Sequence, residues 1–155
     1  MAEKWRPCFE QSVPSGRYEL LRVCEDKNGL ELLFCDERKH IRVTYPSQYL
    51  AYRCCDEADR WKGLSEVLLE NGEDYFRKNL ISVVGPSELK KWFMRETSFG
   101  YREEQIQHHA FVTQNDVVDV LALGLPLVAV EDCFCAQGEH EGANTEKNAE
   151  ICEKE

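Results

Sequence analysis

The stretch QIQHHAFVTQNDVVDVLALGLPLV, Gln105 to Val128, carries two adjacent histidines, two aspartates three residues apart and a closing apolar run. It reads either as a metal or acid/base constellation or as a piece of sheet. Asn115-Asp116 suits a two-residue turn, because short polar side chains bond back to nearby backbone. With that turn Phe111 faces Val120 and His109 faces Ala122 on one face. Ala110 faces Leu121 and His108 faces Leu123 on the other. Successive strand side chains point to opposite faces, so His108 and His109 diverge and cannot share a metal. Asp116 then belongs to the turn, and Asp119, in Val-Val-Asp-Val, reads as an edge or surface-facing residue. The inference fails if residues 102–109 are helical, which REEQIQHH permits. Whether His109 is buried or reaches solvent stays open.

Outward from this hairpin, RYELLRVCED and LELLFCDER flank Lys27-Asn28-Gly29, a strong hairpin signal. In KHIRVTYPS, Ile41, Val43 and Tyr45 alternate with Arg42 and Thr44, as in a half-buried strand, and Pro46 ends it. QYLAYRCC continues this pattern, so the first third reads as an antiparallel meander. Leu64, Val67 and Leu68 have helical spacing, with Ser65 as a candidate cap and Asn71-Gly72 as a stop. FRKNLISVV reads as strand. ELKKWFMRET reads as a helix capped by Ser87, with Leu89, Trp92 and Phe93 on one face and Glu88 and Arg95 placed to suit its dipole. The first 16 residues read as a loose lead-in. The expected fold is α+β: an antiparallel sheet, meander plus hairpin, with one or two helices on a face. The expected core is Leu20, Val23, Leu32, Phe34, Ile41, Val43, Tyr45, Leu89, Trp92, Phe93, Phe111, Val118 and Val120. One domain is expected over residues 1–136, followed by an acidic, disordered tail over 137–155.

The 155-residue chain has 19 basic and 29 acidic residues, and 19 − 29 gives −10. That field repels phosphate, which argues against nucleic acid and anionic membrane surfaces as partners and favours a basic protein partner. No secretory signal opens the sequence and no apolar run reaches membrane-spanning length, so a cytoplasmic location is expected. In that compartment the eight cysteines read as thiols. Cys133, Cys135 and His140 are candidate zinc ligands, but C-x-C is poorly suited to a tetrahedral site and no second well-spaced pair completes it. A cysteine nucleophile with a histidine base is the corresponding enzymatic reading, without a supporting signature motif. There is no glycine-rich phosphate loop. The expectation is therefore a non-enzyme without cofactor. Asp56, Glu57 and Asp59, followed by Trp61, form the candidate partner-binding patch: carboxylates steer a basic partner and an aromatic anchors it.

AYRCCDEADRW, VVGPSELKKWFMRETSFG and IQHHAFVTQNDVVDVL resemble segments of a group of small bacterial proteins similar to the immunity proteins of toxin systems. The resemblance spans residues 43–128. The matching positions are Asp56, Glu57, Trp92, Phe93, His109, Asn115, Asp116, Asp119 and Val120. Cys54-Cys55, Cys133-Phe134-Cys135 and the acidic tail depart from the pattern. The resemblance implies an immunity-type protein that occludes a basic effector. The alternative is a small Cys/His metal-binding or thiol-dependent enzyme or sensor.

Overall fold

A computed structural model describes residues 2–132. The expected boundary at residue 136, the acidic tail and the candidate ligands Cys133, Cys135 and His140 lie outside the described residues. The elements run β1 (Trp5–Pro7), β2 (Glu19–Asp26), β3 (Gly29–Cys35), β4 (Lys39–Tyr45), β5 (Tyr49–Asp56), α1 (Trp61–Asn71), α2 (Tyr75–Lys78), β6 (Ile81–Val84), α3 (Glu88–Glu96), β7 (Gln107–Val112), β8 (Asp116–Ala122) and β9 (Leu127–Asp132). The fold is α+β. Its strands form two antiparallel sheets, ordered β1-β6-β7-β8-β5 and β2-β3-β4-β9.

The meander holds as β2-β3-β4. It leaves its sheet after Tyr45, where Pro46 cannot extend the ladder, and β5 pairs with β8 in the other sheet. β9 returns the chain to pair with β4, so the apolar run after Asp116 is two strands in two sheets. The first hairpin turns at Lys27-Asn28, with Asp26 paired to Gly29. Only glycine suits that last position: its φ is +116°, and a Cβ there would lie 2.0 Å from the Tyr45 carbonyl oxygen.

Alternation supplies the core between the sheets. Leu30, Leu32 and Phe34 of β3 and Ile41, Val43 and Tyr45 of β4 face Ile81, Phe111, Val118 and Val120. Phe34 and Phe111 stack with centroids 5.6 Å apart. The other face of the five-stranded sheet is covered by helices. Leu64, Val67 and Tyr75 pack on Trp5, Val84, Ala110, Val112 and Val117, while Leu89 and Met94 of α3 pack on Ile106 and Leu121. With both faces covered, β7 and β8 are buried along nearly their whole length. The outer face of the four-stranded sheet instead carries a diagonal ion-pair ladder, Arg22–Glu31–Arg42–Glu131.

Several local expectations need correction. The lead-in contains β1, which pairs with β6. α1 starts at Trp61, continuing a 3-10 turn over Glu57–Arg60 that Asp56 caps, so Ser65 lies inside the helix and bonds the Trp61 carbonyl. FRKNLISVV splits into α2 and β6, because Tyr75 is buried beneath the turn that Asn79 closes. Trp92 is 46% exposed: the buried stripe of α3 runs through Leu89 and Met94, with Phe93 only partly buried against it, and leaves Trp92 at the margin. Leu20 and Val23 are only partly buried, near the edge of their sheet.

Candidate functional site

The β7–β8 hairpin turns at Gln114-Asn115, one residue earlier than the sequence suggests. Thr113 N–H donates to the Asp116 carbonyl at 2.9 Å, and the Thr113 hydroxyl accepts from Asp116 N–H at 3.0 Å. Phe111 therefore faces Val118, His109 faces Val120 and His108 faces Leu121. Each pairing moves by two residues, so every side chain keeps its expected face. Residues Glu103–Gln105 form a 3-10 turn and Gln107–Val112 are strand, which settles the open choice for this segment. The two histidines do point to opposite faces, and both are buried.

His109 lies between the sheets. Its Nδ1 is 2.8 Å from the Tyr45 hydroxyl and its Nε2 is 3.0 Å from Gln107 Oε1. Since Gln107 Oε1 only accepts, Nε2 carries the proton and Tyr45 donates to Nδ1. Burial, reinforced by His108, pushes the His109 pKa down to about 4. Burial likewise pushes the Tyr45 hydroxyl up, keeping it a donor.

His108 faces the helices and meets Asp119. The expectation that Asp119 is an edge or surface residue is wrong: it is fully buried on the face covered by helices. A carboxylate there demands partners, and it has three. Its Oδ1 is 2.7 Å from His108 Nε2, and its Oδ2 accepts from Arg53 Nε at 2.8 Å and from Arg60 Nη1. Burial pulls its pKa up, but the bond to His108 and the charges around it outweigh this and hold it well below the ordinary carboxylate range. On its other nitrogen, His108 Nδ1 lies 2.7 Å from Ser87 Oγ. Ser87 also accepts from Lys90 N–H at 3.1 Å as the N-cap of α3.

Hydroxyl, imidazole and carboxylate in series is the order of a nucleophile relay. Here Ser87 is 2% exposed and its oxygen is engaged on both sides, by the helix cap and by the imidazole. In this arrangement the series ties α3, β7, β8, β5 and the 3-10 turn together. Every buried side-chain polar atom among the described residues has a partner. Sequence reasoning missed Arg53 and Arg60 in this role and took Ser87 only as a cap. The available signal was an aspartate inside a strand otherwise apolar on both faces, which implies a buried charge seeking cations.

The predicted patch lies at the surface beside this network. Asp56 and Asp59 are exposed, Glu57 is half-buried and Trp61 is 70% exposed. Asp56 Oδ1 accepts from Ala58 N–H at 2.9 Å, which fixes the turn bearing the other carboxylates. Arg60 sits within the patch but turns inward to Asp119. Among the described residues, no group of three His, Cys, Asp or Glu side chains is placed to hold a metal ion. Burial pushes the Cys8 and Cys54 thiols up, away from the reactive thiolate. Among the described residues no helix is long and apolar enough to cross a membrane. No protein-family model, curated protein or solved structure matches the chain.

Proposed function

We propose that this protein is a non-enzymatic cytoplasmic interaction module of the immunity type, which occludes a basic, nucleic-acid-directed effector. The observation that carries this reading is Trp61, a large aromatic 70% exposed at the start of α1, beside Asp56, Glu57 and Asp59. Exposed tryptophans of this kind anchor interfaces, and surrounding carboxylates select a basic surface and speed its approach. The overall −10 charge acts in the same direction at longer range. The acidic face mimics the phosphate charge that such an effector normally meets and blocks its substrate groove.

The test is to capture binding partners among the neighbouring gene products and to measure, by calorimetry, the affinity of any basic protein so captured. Trp61→Ala is expected to weaken binding by about 2 kcal/mol, roughly thirtyfold. Asp56→Asn with Asp59→Asn is expected to slow association and flatten its salt dependence. Binding that ignores both the tryptophan and ionic strength rejects this mechanism.

A further inference from the structure

A second feature lies on α1 around the corner from Trp61. A groove of about 510 Å³ runs between α1 and the N-terminal strand, with Trp5 and Val67 in its floor and Leu69 at its side. Trp5 and Val67 are buried, whereas Leu69 is 87% exposed. Glu3 and Glu88 close one end, and the Glu88 N–H donates to Glu3 Oε1 at 2.9 Å. Glu3 also contributes to the field on Arg60, so this end adjoins the patch described above.

Three residues of this groove, Gly63, Glu66 and Glu70, work against the helix that carries them. Gly63 sits in the first turn of α1, where glycine is a poor helix former, yet a Cβ there would meet nothing within 4 Å. No neighbour within the protein requires the missing side chain. Glu66 and Glu70 are exposed like charges four residues apart, an unfavourable helical pair. Neither has an ion-pair partner among the described residues, whereas Glu88 is neutralised by Lys91 at 3.0 Å. Against Glu3, Glu66 and Glu70 the groove offers one cation, Lys62. Open space over a glycine, an apolar floor and uncompensated carboxylates all call for an occupant that is apolar at its centre and cationic at its flanks.

We infer that this groove is the docking site for a basic amphipathic segment of the partner protein. An aliphatic or aromatic side chain fills the space over Gly63, and flanking lysines or arginines meet Glu66 and Glu70. This deepens the proposed function and rests on the reading that the acidic face is an interaction surface.

The probe is a synthetic peptide with one leucine flanked by lysines, alongside forms with the leucine changed to glycine or the lysines changed to glutamates. Amide NMR shifts of the full chain report where it binds. The lysine–leucine peptide should saturate shifts at Gly63, Val67 and Glu70, and both altered peptides should bind more weakly. Gly63→Leu fills the groove from within at a position with room for it, and should weaken peptide binding at least about tenfold while thermal stability is kept or raised. Glu66→Gln with Glu70→Gln should weaken it by a similar factor, with a reduced salt dependence. Shifts that map elsewhere, or equal binding of the glutamate peptide, overturn the groove. Effector binding that survives Gly63→Leu but is lost in Trp61→Ala rejects the groove and leaves the interaction reading standing. A peptide that saturates the groove while effector binding ignores both variants supports the groove and rejects the immunity-type reading.

Discussion

Asp119 is the residue on which most of the buried polar structure converges. It takes one bond from His108 and two from arginines, with no exposed surface of its own. Removing a buried charge partner costs more than the net worth of the pair, because the remaining charges stay desolvated. Asp119→Ala is therefore expected to lower stability by about 3–5 kcal/mol, read as the urea midpoint at neutral pH. Asp119→Asn, which keeps an acceptor, should lose less. A loss under about 1 kcal/mol would mean that Arg53 and Arg60 find water at little cost. The sequence made the opposed histidines legible, since strand alternation alone separates them. It did not make the His108–Asp119 contact legible. That contact is diagonal across the hairpin, between residues paired with Leu121 and Ala110, and it depends on a turn position that Thr113 sets through its hydroxyl.

At the scale of elements, local pattern identified α3, the β2–β3 hairpin and β4, each of which has its own period and its own stop signal. It failed where the decisive partner is distant. β1 is three residues long and carries no period; it exists because β6 offers an edge. The crossings after Tyr45 and Ala122 are invisible because a strand looks the same whichever sheet receives it. Trp92 lies outside the core because the buried stripe of α3 follows Leu89 and Met94, a direction that hydrophobicity alone does not specify. The distinction is measurable. Leu89→Ala removes a side chain 9% exposed and packed on Ile106 and Leu121, and should cost about 2–4 kcal/mol in chemical denaturation. Trp92→Ala, at 46% exposure, should cost under about 1 kcal/mol. Equal losses would place Trp92 in the core after all.

Over the described residues the molecule is two sheets docked face to face, and a fully buried titratable bond bridges them. Tyr45 belongs to β4 in one sheet and His109 to β7 in the other, so their 2.8 Å bond requires the sheets to be closed. In the folded state the His109 pKa is near 4, while in the unfolded chain it returns to about 6.5. Between these values the unfolded chain binds more protons than the folded one, so stability rises with pH across the window. The contribution is complete above about pH 6.5, declines as pH falls and levels off below about pH 4. Its full size is about 3 kcal/mol, at 1.36 kcal/mol per unit of pKa. The carboxylates titrate over part of the same range, so the informative quantity is a difference between proteins. His109→Gln can still bond Tyr45 but does not titrate. Urea midpoints of the two proteins, compared from pH 7 down to pH 4, should show the wild type losing stability faster than the variant. Parallel profiles would mean that the imidazolium finds solvent without the sheets opening, and that the interface between them is looser than its packing implies.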